Sequence, residues 1–204
     1  MGLWAIVPVK PLRRGRSRLS PVLSEDERTL LNFTMLGNTL KTLSEVPEIE
    51  QVLVVSRDPS ALALAREYQA RTVQEDGQPD INTALQRATV VAQLYSAQEI
   101  LVVPADLPLL SRKDVEEIIK AGENPPVVVI APDRRNNSTN ALYMNPAGII
   151  DYCFGPDSFQ QHLQQAQEKK INIQICHLTT LGLDLDLPED LDLLKQVEAF
   201  QIEP

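Results

Sequence analysis

Residues 101–110 read LVVPADLPLL. Leu101, Val102 and Val103 carry no polar group among them. That is the composition of a strand covered on both faces, since a half-exposed strand would alternate. Pro104 and Pro108 then interrupt any regular ladder, because proline has no N–H to donate. Asp106 is held between the two prolines. Such a carboxylate either closes a turn through nearby backbone, as aspartate often does, or faces a ligand where the strand ends.

The same kind of run recurs on both sides of this stretch. WAIVPV (4–9), VLVVS (52–56), ILVVP (100–104) and VVVIA (127–131) are rich in Val and Ile. Helical periodicity fills the gaps between them. Ser24 with Glu27 forms a capping box ahead of Leu30, Leu31, Met35, Leu36, Leu40 and Leu43. Asp80 caps a second helix carrying Ile81, Leu85, Ala88 and Val91, and Ser111 with Asp114 opens a third. Pro188 sits in the first turn of a last helix through Leu191, Leu194 and Val197. NALYMN (140–145) and INIQICHL (171–178) read as additional strands. This alternation predicts an α/β fold of three layers, a mostly parallel sheet with helices on both faces. Residues 1–204 are expected to form one domain, as the length suits a single core and no linker or repeat divides it.

Bulk properties exclude several classes. Hydrophobic residues make up 43% and charged residues 23%, ordinary values for a globular chain. No apolar run approaches the roughly 20 residues of a membrane helix, and the apolar N-terminus has Pro8 inside and no basic flank, unlike a signal peptide. Cys153 and Cys176 are too few for a disulfide framework and lack metal-ligand spacing, so a reducing cytoplasm is expected. A net charge of −9 argues against nucleic acid as a partner. Against that acidity, KPLRRGRSR (10–18) gathers Lys10, Arg13, Arg14, Arg16 and Arg18 with no acid among them. The cluster is either a solvated loop or an anion site.

In open α/β sheets, ligands bind beyond the carboxyl ends of the strands. The basic cluster, Ser56 with Asp58, Asp106, and Asp133 with Thr139 all follow apolar runs. A cationic loop and a carboxylate on one edge suit phosphate plus a metal ion. A hard cation such as Mg²⁺ takes one or two carboxylates and leaves its other positions to phosphate and water. GLDLDLPEDL (182–191) supplies a second acid. Asp184 and Asp186 alternate along what reads as a strand end, and Asp186 is placed to cap the helix at Pro188. Asp106 and Asp184 are therefore the expected metal ligands. The loop has a single glycine, Gly15, so side-chain charge rather than backbone amides must hold phosphate there. In FGPDSFQQH (154–162), Gly155 permits close backbone approach, and Ser158 offers a hydroxyl and helix-start amides to an anion, or simply caps the helix. His162 and His177 show no partner spacing and read as structural.

Taken in order, VPVKPLRRGRSRL, VVPADLPLL, STNAL, FGPDSFQQH and LDLDLPEDL span nearly the whole chain. Together they resemble the phospholactate/phosphoenolpyruvate guanylyltransferases that make the deazaflavin coenzyme F-420. The resemblance implies a Rossmann-like fold of the nucleotide-diphospho-sugar transferase kind, shared with molybdenum-cofactor guanylyltransferases. It implies transfer of GMP from GTP to a phosphorylated three-carbon acid, with Mg²⁺ and release of pyrophosphate. Thr139, Gly155 and Ser158 would contact the acid, and Asp106 and Asp184 would hold the metal. The reaction would use Lys10, Arg18 and Asp106. Lys10, Arg14 and Arg18 would steady the triphosphate, and Ser56, Asp76 and Asn82 would meet the nucleotide near its guanine. The sequence departs from the family pattern where Asn137 and Ser138 replace glycine and where Arg16 replaces a common lysine. A homodimer is the candidate assembly. A glycosyltransferase of the same architecture and a non-catalytic GTP-binding protein are the alternatives. The dense basic loop argues against the first, and retention of both loop and carboxylates against the second.

Overall fold

Strand and helix alternate along the chain as β1 (Gly2–Val9), α1 (Glu25–Ser44), β2 (Ile49–Ser56), α2 (Pro59–Glu67), β3 (Arg71–Gln74), α3 (Ile81–Leu94) and β4 (Ala97–Val102). Then follow α4 (Arg112–Ala121), β5 (Val127–Pro132), β6 (Thr139–Asn145), α5 (Ser158–Glu168), β7 (Asn172–Ile175) and α6 (Pro188–Gln196). The computed structural model describes residues 2–13 and 15–196. Among them, seven strands make one sheet in the order β3-β2-β1-β4-β6-β5-β7. All strands point one way except β6, which is antiparallel to β4 and β5. The reversal follows from chain length: residues 133–138 join β5 to β6, too few for the crossover that a parallel pair needs.

The Val/Ile runs are buried on both faces because alternate residues serve different layers. Leu3, Ala5, Val7 and Val9 of β1 pack with Leu36, Leu40 and Leu43 of α1, with α2, and with Val115 and Ile118 of α4. Trp4 and Ile6 turn to the other face, against Ala84, Leu85 and Ala88 of α3 and Phe159 of α5. The three-layer expectation holds. A third, smaller cluster of Leu19, Leu31, Met35, Leu183, Leu185, Leu191 and Leu194 lies apart from both. It fastens the basic loop and the acidic segment 183–187 to α1 and α6.

Three of the expected caps form. Ser24 and Glu27 make a reciprocal capping box at α1, and Ser111 and Asp114 another at α4. Asp80 accepts from the N–H groups of Asn82 and Thr83. Elsewhere the sequence reading needs correction. β3 was not expected: RTVQ is an edge strand, half-buried or exposed, and lacks the apolar run of the central strands. α2 is a further element beyond the expected ones, capped by Asp58 and started by Pro59. Segment 183–186 is no strand, and β7 covers only Asn172–Ile175 of the expected 171–178. Leu30 is exposed rather than part of the α1 core face. Val197 lies outside the described residues. None of the described helices is long and apolar enough to cross a membrane.

Candidate active site at the carboxyl edge of the sheet

The basic loop leaves β1 at Lys10, which is exposed, as is Arg13. Leu12 is buried and its N–H donates to the Asp58 carboxylate at 2.7 Å. The same carboxylate caps α2 through the Ser60 N–H. Asn32 of α1 grips the loop twice. Its Nδ2 donates to the Leu12 carbonyl at 2.6 Å, and its Oδ1 accepts from Arg16 Nε at 2.7 Å. A Cβ on Gly15 would lie 2.9 Å from Asn32 Nδ2, so this close approach requires glycine. Arg16 adopts a left-handed conformation, φ 54°, and is half-buried. Burial lowers its pKa, while the carboxylates of Asp106, Asp186 and Asp184 oppose that shift. Arg18 follows in the short 3-10 turn Ser17–Leu19, where the buried Leu19 anchors it, and pairs with Asp186 at 2.5 Å. Arg14 lies outside the described residues.

Asp106 occupies the turn after β4, and its main-chain carbonyl accepts from the Leu185 N–H at 3.0 Å. That bond draws the two acidic segments together. Leu183 and Leu185 sink into the leucine cluster, while Asp184 and Asp186 stay partly exposed. Burial raises the Asp184 carboxyl above its ordinary value, and the Asp106 charge raises it further. Asp186 does not cap α6. Its carboxylate is turned to Arg18, and the helix start is held instead by Asp190, which accepts from Asp186 N–H at 3.1 Å and Leu187 N–H at 2.7 Å. The other oxygen of Asp190 accepts from Arg134 at 2.8 Å.

On the neighbouring side, Asp133 shapes the loop before β6 by accepting from the N–H groups of Asn137 and Ser138. The Thr139 N–H donates to Ser158 Oγ at 2.9 Å, and Ser158 N–H donates to the Gly155 carbonyl at 3.2 Å. The three expected acceptor-side residues thus sit together. His162 lies beneath them with both ring nitrogens engaged. Cys153 N–H donates to its Nε2, so Nδ1 carries the ring proton and faces Thr139 Oγ1 at 2.9 Å. Burial pushes the His162 pKa down to about 4, which keeps the ring neutral and structural as expected. Gly155 is exposed at φ +134°, with nothing within 4 Å of the position a Cβ would take. One expectation changes here. The first amides of α5 are already paired, Ser158 with Gly155 and Phe159 with Asn137. Backbone approach at Gly155 therefore remains the more open contact.

Residues 3–196 match the model of the family described as guanylyl transferase CofC like. The chain belongs to this family. It is 37% identical over 204 residues to a phosphoenolpyruvate guanylyltransferase of Rubrobacter xylanophilus, covering all of this chain and 98% of that protein. It is 32% identical over 187 residues to a 2-phospho-L-lactate guanylyltransferase of Methanocaldococcus jannaschii, covering 91% of this chain and 79% of that one. A solved nucleotidyl transferase from Methanothermobacter thermautotroptrophicus superposes with a TM-score of 0.71 at 14% identity, over 96% of this chain and 97% of that one. The last match shows a shared fold.

A guanylyltransferase site has to accommodate a base as well as phosphates, and here the expectations for the guanine side are revised. Ser56 is fully buried. Its hydroxyl donates to the Val9 carbonyl at 2.8 Å and accepts from Asp58 N–H at 3.0 Å, which ties β1 to β2 and leaves no surface for a ligand. The Asn82 amide is turned to the backbone of Phe154. Asp76 is exposed in the loop after β3, its carbonyl accepting from Arg87. For a metal, no group of three or more His, Cys, Asp or Glu side chains among the described residues could form a cage. Two mutually repelling carboxylates, Asp106 and Asp184, do suit Mg²⁺, which asks for one or two and takes its remaining ligands from phosphate and water. Sequence reading missed Asn32, Asp190 and Arg134. Asn32 had a visible signal, a polar residue on the buried face of α1.

Proposed function

We propose that this guanylyltransferase-family chain transfers GMP from GTP to the phosphate of a phosphorylated three-carbon acid, phosphoenolpyruvate or 2-phospho-L-lactate. A phosphate oxygen of the acid attacks the α-phosphorus in line. The bond from that phosphorus to the bridging oxygen breaks, and pyrophosphate leaves with the electron pair. No protein nucleophile is needed, because the acceptor is already an anion, so positioning and charge neutralisation carry the catalysis. The product is a diphosphate joining guanosine to the acid, an intermediate suited to coenzyme F-420 biosynthesis in the cytoplasm.

The observation that carries this reading is the convergence of Asp106, Asp184, Arg16 and Arg18 at one sheet edge. Lys10 and Arg18 steady the triphosphate as point charge and bidentate fork. Asp106 and Asp184 would hold Mg²⁺, which would neutralise charge on the phosphates. Gly155 opens on the acceptor side, with the buried Thr139 and Ser158 directly behind it. Relatives named for phosphoenolpyruvate match at 30% to 37% and relatives named for phospholactate at 32% to 34%, so both acids belong in the test. The test is pyrophosphate release with four nucleoside triphosphates and both acids. Release that needs GTP and one acid together supports the reading; release with no acid present overturns it.

A further inference from the structure

Asn82 has the chemistry of a base-reading residue, yet its amide is spent elsewhere. Oδ1 accepts from the Phe154 N–H at 2.7 Å, and Nδ2 donates to the Phe154 carbonyl at 3.1 Å. One carboxamide thus closes a two-point pair with the main chain of a residue 72 positions away. Only a side chain carrying a donor and an acceptor side by side can do this. We propose that Asn82 is a positioning residue that sets the acceptor turn, an inference that rests on binding of the phosphorylated acid at Gly155–Ser158.

The turn needs such a support. The Phe154 ring is buried and meets His162 edge-on with centroids 5.2 Å apart, which fixes its inner side. Gly155 next to it has φ +134° and no neighbour against its Cα face. Glycine's own conformational freedom is wide, so the turn relies on bonds at its flanks: Ser158 N–H to the Gly155 carbonyl on one side and the Phe154 peptide on the other. Asn82 supplies the second hold from a rigid base. It is the second residue of α3, and its N–H donates to the capping Asp80 at 3.3 Å. The Asp80 N–H donates to Glu75, which pairs with Arg57. A strut therefore runs from the loop after β3, through the start of α3, to the turn that presents Gly155. Asn82 acts on the acid through Phe154 and does not touch it.

The test uses Asn82→Ala, which removes both bonds, and Asn82→Asp, which can still accept from the Phe154 N–H but sets a carboxylate against its carbonyl. The KM for the acid should rise about tenfold in Asn82→Ala, the scale of losing two hydrogen bonds, while the KM for GTP stays within about twofold. Asn82→Asp should show the same split. Hydrogen exchange at the Phe154 amide should speed up in Asn82→Ala. Equal rises in both KM values, or an unchanged acid KM, would overturn the proposal. If wild-type protein releases no pyrophosphate with either acid, the functional reading fails separately. The exchange rate at Phe154 then decides on its own whether Asn82 holds the turn, and an unchanged rate sinks it.

Discussion

The Leu185 N–H donates to the Asp106 carbonyl at 3.0 Å, and this main-chain bond joins the two segments that carry the acidic pair. Because it uses no side-chain atom, the arrangement survives changes to either carboxylate. Asp106→Asn should therefore fold normally. It removes a charge that repels the Asp184 carboxylate but also one that offsets the burial of Arg16, so the melting temperature should stay close to wild type. Turnover should fall on the order of 10²-fold, the scale of losing one electrostatic contact to reacting phosphates. Near-normal turnover with unchanged Mg²⁺ dependence would remove Asp106 from the site.

Arg18 and Ser158 should separate the two substrates. The Arg18–Asp186 pair is exposed, 68% and 43% for the two side chains, so it contributes little stability. Arg18→Ala should leave the melting temperature unchanged and raise the KM for GTP more than that for the acid. Ser158→Ala should do the reverse. It should also lower stability by about 1–3 kcal/mol, because the Thr139 N–H loses its buried acceptor. Steady-state kinetics on both variants decide the matter: weakening of the same substrate in both would merge the two halves of the site.

The central strands and three helix caps were legible because their signals are local. Val/Ile runs need no partner to be recognised, and a capping box lies within four residues. What stayed hidden depends on distant partners. Ser56 looked like a site residue because it ends a strand at the ligand edge, but its hydroxyl turns back to Val9 in the neighbouring strand. Asn82 meets Phe154, and no spacing rule connects the two. β3 escaped notice because an edge strand can be as polar as a loop. Asp186 was given the helix cap on position alone, and Asp190 holds it by reaching backward from the first turn.

His162 predicts an acid limit for the acceptor side. Its folded pKa is about 4, below the roughly 6.5 of an unfolded histidine. The unfolded chain therefore binds the proton more readily. Stability is complete above the unfolded value, falls as pH drops through that window, and levels off below the folded value. The full span is worth roughly 3 kcal/mol. Thermal melts from pH 7.5 to 4 should show the loss, and His162→Gln should show less of it despite a lower starting stability. Parallel curves for the two proteins would assign the acid sensitivity to other groups.

Asp190 should prove to serve both halves of the site. It is buried, and its two oxygens accept from Arg134, Asp186 N–H and Leu187 N–H. Arg134 in turn donates its own N–H to the Gly182 carbonyl, binding the loop before Thr139 to the acidic segment. Asp190→Ala leaves two amides without an acceptor and the exposed Arg134 without its partner, and should cost about 3–5 kcal/mol, most of it from the amides, a large share of a typical domain's stability. Asp190→Asn keeps the shape and one acceptor, so about 1–3 kcal/mol is expected, leaving a folded protein to assay. In that variant the main chain just after Asp184, at Asp186 and Leu187, loses part of its hold. The Mg²⁺ concentration for half-maximal rate should rise, together with a smaller rise in the KM for the acid through Arg134. Melting curves and a Mg²⁺ titration read the two effects separately. An Asn variant with lowered stability but a wild-type Mg²⁺ titration would make Asp190 a helix cap alone, with no part in setting the carboxylates.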